Sequence, residues 1–262
     1  MSDLRTDPSF LLEKQYRTSE NLRARIECHQ RFSTSEQSWP DWVSAHYTFG
    51  DDADVLEVGC GDGSMWRDFS AGIPSGWRLT LTDMSPGMVE AAREALGDRA
   101  NFAVADVQQL PFDDASFDAA IANHVLFHVP DRQCALRELS RVLRPRGILV
   151  GTMIGRDHFR ELRGMLGGQE NVIWSKSRER FGLETAREQL ERVFAAVEIE
   201  PFRDSLEVTE VEPFLRFVRS LDTPGLNEEH LAEMRKVVER EIGARGSFHV
   251  TKSSGRFRCR KP

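Results

Sequence analysis

The stretch that decides the fold of this chain is Val55-Leu56-Glu57-Val58-Gly59-Cys60-Gly61-Asp62-Gly63. An apolar run that ends in three alternate glycines is typical of a strand that stops at a ligand, because glycine lets backbone N–H groups approach a bound molecule closely. One acidic residue, Glu57, lies inside the run, two positions before the first glycine. A carboxylate at the mouth of a buried strand suits a cationic ligand better than the pyrophosphate of a dinucleotide.

The glycine-rich stretch belongs to a block, from about residue 54 to residue 153, in which short β-rich runs alternate with longer helical patterns. This alternation is typical of βαβ units and a parallel sheet. The predicted strands are residues 54–58, 78–83, 101–105, 117–123 and 147–153. The predicted helices between them are residues 64–70, 86–96 and 132–143. We expect Ser85 and Asp131 to cap the second and third of these helices.

The pattern changes on both sides of this block. Residues 9–50 and 155–194 look helical, and the later helix of the second segment covers residues 184–194. Two strands follow over residues 197–202 and 206–209, and then two helices over 213–221 and 228–242. Residues 248–252 and 256–260 flank Ser253-Ser254-Gly255 and predict a hairpin, whose alternating arginines we interpret as a solvated edge.

The domain organisation that follows from these patterns is one α/β core with helical additions. Residues 1–50 form a helical N-terminal arm, which serves as a lid or merely covers the sheet. Residues 51–262 form the main domain, with substrate-facing insertions at about 155–194 and 210–245, the second of them a helical C-terminal insertion.

The composition argues against several classes of function. The chain has 262 residues, 40% of them hydrophobic, which is enough for one large domain. A net charge of −7 gives no general attraction to nucleic acid or to an anionic membrane surface. No signal segment and no run of about 18 apolar residues is present. Four cysteines without Cys-x-x-Cys spacing argue against a disulfide framework, so we expect a cytoplasmic protein.

Polar or glycine residues follow four of the predicted strands, at the edge where ligands bind in open parallel sheets. The first of these four positions is the glycine loop, residues 59–63, after the first strand. Asp83 ends the next strand about 20 residues later, where a carboxylate can accept both hydroxyls of a ribose. Asp106 and Val107 suit the amine and the ring of a purine, although Asp106 is equally well explained as a turn aspartate. Asn123-His124 brings polar groups beside the glycine loop.

These motifs, taken in order, resemble those of the class I S-adenosylmethionine-dependent methyltransferases. Residues 57–63 resemble the first motif of that family. Residues 81–88, 106–112, 117–118 and 139–147 look like the small-molecule branch that includes the ubiquinone and menaquinone C-methyltransferases. Arg146 departs from that branch, which often has glycine at this position. The resemblance implies a Rossmann-like, doubly wound, mostly parallel seven-stranded sheet with helices on both faces.

By this resemblance the cofactor is S-adenosyl-L-methionine. The glycine loop would hold its methionyl part, with Glu57 near the ammonium group or held by the loop. Asp83 would bind the ribose, residues 84, 106 and 107 would contact adenine, and Asn123 would contribute its backbone near the methionine moiety. The full set of expected cofactor-binding residues is Tyr16, Glu57, Gly59, Cys60, Gly61, Gly63, Asp83, Met84, Met88, Asp106, Val107, Asn123 and His124.

The reaction implied by the resemblance is an in-line displacement at a methyl group. Holding the nucleophile about 3 to 3.5 Å from the methyl carbon supplies most of the acceleration. Where the acceptor must lose a proton, His124 and His128 are the best-placed catalytic bases. Each is explained at least as well as a turn cap or as packing over the cofactor. On a helix the two imidazoles would share a face, but no third metal ligand is evident, so we expect no metal.

Other functions stay open on the sequence. A nicotinamide-dependent oxidoreductase is disfavoured because Ser64 stands where the dinucleotide fingerprint has its third glycine. A nucleic-acid methyltransferase is disfavoured by the acidic balance and by Asn123-His124-Val125-Leu126 in place of an Asn/Asp-Pro-Pro-aromatic motif. A non-catalytic cofactor-binding protein is a further alternative. The expected partner is a small-molecule methyl acceptor, quinone-like or a secondary metabolite from natural product biosynthesis, and a homo-oligomer is left open.

Overall fold

The computed structural model describes residues 6–69, 72–165, 181–223 and 225–262. Its strands are β1 Asp54–Val58, β2 Arg78–Asp83, β3 Asn101–Val104, β4 Phe117–Asn123, β5 Leu143–Ile154, β6 Ala195–Phe202, β7 Ser205–Val208, β8 Phe248–Thr251 and β9 Ser254–Arg260. Its α-helices are α1 Pro8–Phe10, α2 Glu20–Phe32, α3 Trp39–Ser44, α4 Ser64–Arg67, α5 Pro86–Leu96, α6 Arg132–Val142, α7 Arg160–Met165, α8 Ala186–Glu191, α9 Val211–Ser220 and α10 Glu228–Arg245.

Seven strands form one sheet in the order β3-β2-β1-β4-β5-β9-β6. β1 lies between β2 and β4 and is parallel to both, and β3 and β5 extend the parallel part on either side. After β3 the chain crosses back over β1 to form β4, so the strand order reverses between β1 and β4. Ligands of open α/β sheets bind at such a reversal, beyond the carboxyl ends of the strands. The predicted α/β, Rossmann-like and mostly parallel sheet is confirmed.

The two faces of the sheet bury separate apolar cores, as expected for a doubly wound fold. Leu56 of β1 faces one core, together with Leu139 of α6. Val55, the preceding residue, faces the other core with Leu96 of α5. Because successive side chains of a strand point to opposite faces, this alternation places helices on both sides of the sheet.

The predicted C-terminal hairpin is wrong. β8 pairs with β7, whereas β9 lies between β5 and β6 and is antiparallel to both. The terminal arginines therefore do not form a solvated edge. Arg256 is only 7% exposed; its Nη2 lies 2.7 Å from Glu200, and its guanidinium lies 4.1 Å from the ring centroid of Trp42. Two β-rich runs around a short polar turn do not show whether they pair with each other or with distant strands.

The N-terminal arm packs on the C-terminal part of the chain as well as on the sheet. After α1 it continues as a π-helical turn, Leu11–Gln15. Arg31 of α2 donates to Glu210 at 2.6 and 2.9 Å. Ser33 forms an isolated β-bridge with Leu206 of β7. Within the described ranges, no helix is both long and apolar enough to cross a membrane.

Element boundaries differ from the predictions in a few places. The helix predicted over residues 64–70 is the single turn α4, and residue 70 lies outside the described residues. The helical segment predicted over residues 155–194 is described only as α7 and α8, because residues 166–180 lie outside the described ranges. Arg146, within β5, has a φ of 66°, which is the left-handed conformation that favours glycine. The branch that this chain resembles often has glycine at this position, and the left-handed conformation of Arg146 explains that preference.

Candidate functional site

The glycine loop joins β1 to α4 at the point where the strand order reverses. Gly59, Gly61 and Gly63 have φ values of 68°, 57° and 71°, a conformation that side chains rarely adopt. A Cβ on Gly59 would lie 2.7 Å from Val125, and one on Gly61 would lie 3.0 Å from Leu22 of α2. The glycines therefore serve close packing within the protein, in addition to the approach of a ligand that the sequence predicts.

Glu57 is a buried carboxyl group with only 2% of its surface exposed. The indole Nε1 of Trp66 donates to its Oε2 at 2.5 Å, and the amide of Asn123 donates to its Oε1 at 3.3 Å and to the hydroxyl of Tyr47 at 2.8 Å. Burial raises the pKa of Glu57 to about 7, against the effect of these two donors. A positive charge placed nearby would favour loss of its proton near neutral pH.

Asp83 links the end of β2 to the glycine loop. Its Oδ2 accepts a hydrogen bond from the backbone N–H of Gly61 at 3.0 Å, and its Oδ1 accepts one from Ser85 at 2.8 Å. Burial raises the pKa of Asp83, and the backbone donors partly oppose that shift. The structure thus brings Asp83 beside the loop, as the sequence predicts.

The loop has a strongly acidic environment. Burial and the charges of Asp83, Glu57 and Asp62 raise the pKa of the Cys60 thiol well above its usual value, so Cys60 stays protonated and is not a nucleophile. Asp62 is 1% exposed, and its Oδ2 has no hydrogen-bond partner among the described residues. Arg23, on α2, approaches this oxygen to 3.5 Å. The site therefore holds buried acceptor oxygens that suit a cation.

Asp106, Val107 and Met84, the residues predicted to contact adenine, lie in three different environments. Asp106 is exposed, and its carboxylate accepts from the backbone N–H of Gln108 at 2.9 Å and from the Gln108 side chain at 3.0 Å, which is the geometry of a turn aspartate. Val107 is buried and Met84 is half-buried. Met88, in α5, which is predicted to bind the cofactor but not adenine in particular, has no exposed surface and packs in the core of the described structure.

His124 follows β4 with a φ of 52°. Its backbone N–H donates to the Thr152 hydroxyl at 3.0 Å, and its ring stacks on Trp39 with centroids 5.2 Å apart. Burial, followed by the charges of Lys252 and Arg25, lowers the pKa of His124 to about 4. The imidazole is therefore neutral at pH 7 and is a weak base.

His128 lies in a 3₁₀ turn, Leu126–His128, rather than in an α-helix. Its Nε2 lies 3.1 Å from the hydroxyl of Tyr16. The carbonyl of Tyr16 in turn accepts a hydrogen bond from the Ser85 hydroxyl at 2.9 Å. The arm residue Tyr16 is thus held both at the end of β2 and at the turn after β4. In the part of the chain that the structure describes, no three His, Cys, Asp or Glu side chains are placed to hold a metal.

Sequence reasoning missed four residues that shape this site. Trp66 and Tyr47 surround Glu57, and the only local signal for them is that two aromatic residues flank the glycine-rich stretch. Arg25 and His29 approach the site from α2. Their four-residue spacing indicates a shared helix face, but nothing in the sequence shows which strands that face meets.

The comparisons with known proteins agree with this geometry. A family model described as a methyltransferase domain matches residues 56–151. A malonyl-[acyl-carrier protein] O-methyltransferase of Enterobacter lignolyticus is 32% identical over 189 residues, covering 70% of this chain and 68% of the relative. A ubiquinone/menaquinone biosynthesis C-methyltransferase of Hahella chejuensis is 36% identical over 103 residues, covering 37% of this chain and 41% of the relative.

A solved structure gives the same fold. Phosphoethanolamine N-methyltransferase 2 of Haemonchus contortus, in complex with S-adenosyl-L-methionine, superposes with a TM-score of 0.60 at 20% identity over 100% of this chain and 60% of that chain. For several curated relatives, the match spans only 36–41% of the relative's own length. The motifs, the seven-stranded sheet and the relative matched over two thirds of both chains lead to one conclusion: the chain belongs to the class I S-adenosylmethionine-dependent methyltransferases.

Proposed function

We propose that this chain transfers a methyl group from S-adenosyl-L-methionine to a small-molecule acceptor, either quinone-like or a secondary metabolite. The observation that carries the proposal is the buried carboxyl of Glu57 beside two buried acceptor oxygens that have no hydrogen-bond partner among the described residues, Asn123 Oδ1 and Asp62 Oδ2, although Arg23 approaches the second to 3.5 Å. A cofactor with an ammonium and a sulfonium group supplies two positive charges, and its ammonium supplies the hydrogen-bond donors that these oxygens lack. A dinucleotide pyrophosphate would instead be repelled by them.

The residues present fit this cofactor, and each role is part of the proposal. Glu57 and the glycine loop hold the methionyl ammonium group, and Asp83 accepts the ribose hydroxyls. Met84, Asp106 and Val107 contact adenine. For Asp106 this requires that the Gln108 side chain move off its carboxylate.

Bound S-adenosylmethionine supplies an electrophilic methyl group on a sulfonium centre. The protein's part is to position the acceptor in line with it, since alignment provides most of the acceleration. His124 and His128 lie at the carboxyl edge of β4, where they can orient an acceptor. The low pKa of His124 favours an acceptor that is already ionised when it binds.

The flanking segments complete the proposal. The arm over residues 1–50 closes over the cofactor through Tyr16, and the insertions at about 155–194 and 210–245 select the acceptor. All four cysteines are free, which fits a reducing compartment such as the cytoplasm. A homo-oligomer remains a prediction that size-exclusion chromatography with light scattering will test.

The first experiment measures which cofactor binds. We expect calorimetry to show tight binding of S-adenosylhomocysteine and none of NAD. Tight binding of NAD without a response to S-adenosylhomocysteine would overturn the proposal in favour of an oxidoreductase.

The second experiment identifies the acceptor. Protein with S-adenosylmethionine labelled in its methyl group is incubated with fractionated metabolite extracts, and labelled products are identified by mass spectrometry. We expect transfer to at least one fraction with wild type, and at least about tenfold less with Asp83→Ala when S-adenosylmethionine is kept below its dissociation constant. Failure with every fraction, despite S-adenosylhomocysteine binding, would favour a non-catalytic cofactor-binding protein.

A further inference from the structure

Two side chains of α2 each have a buried polar atom that meets no hydrogen-bond partner among the described residues. Arg25 donates through Nε to the Asn21 carbonyl at 3.0 Å and through Nη1 to the Tyr16 hydroxyl at 3.5 Å. Its Nη2 is buried and has no hydrogen-bond partner among the described residues, and the same is true of His29 Nδ1. No carboxylate of the described residues lies within ion-pair distance of either nitrogen. A buried guanidinium nitrogen with an unused N–H is costly in free energy, unless a ligand supplies the acceptor.

The same region carries excess positive charge. Burial and the charges of Lys252 and Arg25 lower the pKa of His29 and of His124, so both imidazoles are neutral at pH 7. Lys252 is compensated by Asp204, with which it forms a buried ion pair. Arg25 has no such compensation within the described ranges. A ligand that balances the charge of Arg25 must therefore be negatively charged.

The position of Arg25 along α2 separates this region from the acidic glycine loop. Leu22, about one turn before Arg25, lies against Gly61. His29, one turn after Arg25, stacks on Phe159 with ring centroids 5.8 Å apart. A bound molecule that meets both Arg25 and His29 thus lies beyond the glycine loop, next to an aromatic and apolar region.

We propose that Arg25 Nη2 and His29 Nδ1 form a subsite for a carboxylate of the methyl acceptor, so that the acceptor of this enzyme is an organic anion. This inference rests on the proposed function, because it assigns the subsite to the acceptor. A guanidinium with a free N–H and a neighbouring imidazole N–H suit the two oxygens of a carboxylate. A neutral amide of the same shape offers one acceptor and places an NH₂ group against donors.

The test compares benzoate with benzamide, which have nearly the same shape and differ in charge. Both are titrated calorimetrically, up to millimolar concentrations, into protein saturated with S-adenosylhomocysteine. We expect benzoate to bind at least tenfold more tightly than benzamide, and Arg25→Gln to remove this preference. The matched control is Arg31→Gln, whose side chain lies on the surface of the same helix beside Glu210. It should keep the preference.

Three results would overturn the inference. Equal binding of benzoate and benzamide by wild type, or binding of neither, would show that no anion subsite exists. An unchanged preference in Arg25→Gln would show that Arg25 does not provide it. If Arg25→Gln instead weakens S-adenosylhomocysteine but not 5′-methylthioadenosine, which lacks the amino-acid carboxylate, Arg25 binds the cofactor.

The proposed function has its own contradicting result. It would be wrong if wild type did not bind S-adenosylhomocysteine. The comparison of benzoate with benzamide on the ligand-free protein then still decides whether the anion subsite exists.

Discussion

At the scale of single residues, burial of Glu57 lowers the stability of the fold at high pH, and we propose that the same carboxyl binds the cofactor. Its pKa of about 7 lies above the 4.5 of an ordinary glutamate. Between pH 4.5 and pH 7, Glu57 keeps its proton in the folded protein but has lost it in the unfolded chain. The free energy of unfolding therefore falls as the pH rises through this range. The loss is complete above pH 7 and amounts to about 3 kcal/mol at about 1.4 kcal/mol for each pKa unit.

We therefore expect Glu57→Gln to be more stable than wild type at pH 8, by about 1–3 kcal/mol, and the difference to shrink towards pH 5. The Asn123 amide can turn so that its oxygen, which has no hydrogen-bond partner among the described residues, accepts from the new NH₂ group. Urea unfolding at the two pH values measures the effect. The same variant should bind S-adenosylhomocysteine at least about tenfold more weakly, since a hydrogen bond to a charged group is worth about 1.5–3 kcal/mol.

Glu138→Gln is the matched control for this experiment. Hydrogen bonds from Arg141 are the main cause that lowers the pKa of Glu138, so ionisation of this group favours the folded state. Its replacement should reduce stability at pH 8 rather than increase it. A Glu57→Gln variant that is no more stable than wild type at pH 8 would contradict the account of Glu57.

Asp83 gives the second prediction at this scale. We expect Asp83→Ala to weaken S-adenosylmethionine binding by at least about tenfold, because it removes acceptors for the ribose and releases the Gly61 N–H of the loop. Calorimetry measures the dissociation constant, with Asp98→Ala, an exposed aspartate, as control. An unchanged dissociation constant would show that the ribose assignment is wrong.

At the scale of elements, Ser85 joins two parts of the chain. Its hydroxyl accepts from the Met88 N–H at 3.3 Å as the N-cap of α5, and donates to the Tyr16 carbonyl of the arm at 2.9 Å. We expect Ser85→Ala to lose about 1 kcal/mol of stability and to expose Arg17 to trypsin. The proteolysis rate of the arm measures the second effect.

Asn227→Ala is the control for Ser85, because Asn227 caps α10 in the same way and accepts from His230 at 3.0 Å. We expect Asn227→Ala to lower the stability by a similar amount but to leave the rate of cleavage at Arg17 unchanged. Equal cleavage of Ser85→Ala and wild type would mean that this hydrogen bond does not hold the arm.

Elements with local signals were predicted well from the sequence. β1, β2 and β4 have the expected bounds, because each is an apolar run bounded by polar or turn residues. Ser85 and Asp131 cap helices as expected, since capping depends on residues only three positions apart. In the site, Asp83 was placed beside the glycine loop because the end of β2 and the end of β1 meet at one edge.

What failed depends on contacts between distant segments. Phe248–Thr251 and Ser254–Arg260 are both strands, but the choice of partner is made by the edges of β7, β5 and β6, which the local pattern does not contain. The low pKa of His124 was missed for the same reason. It arises from burial and from Lys252 and Arg25, which the fold brings to the end of β4.

At the scale of the whole molecule, the sheet depends on β9. Its residues Phe257 and Cys259 are each 1% exposed, and β9 provides the pairing edge of both β5 and β6. We expect deletion of residues 254–262 to abolish cooperative thermal unfolding, as measured by circular dichroism. Deletion of Pro262 alone, which is exposed, is the control and should melt like wild type. A cooperative transition in the larger deletion would show that the remaining strands fold without β9.

The place of β9 in the sheet also affects folding during synthesis, because β9 is made long after its neighbour β5. β5 ends at Ile154 and β9 begins at Ser254, so the 99 residues from 155 to 253 are synthesised between these two neighbouring strands. At about 5–20 residues per second, the ribosome takes about 5–20 seconds to cover that distance. Throughout this interval the apolar strand β5 presents an open edge, which is the kind of surface that recruits other nascent chains. The newborn protein is therefore most exposed to aggregation, and most in need of a chaperone, after the half that carries the glycine loop has already been made.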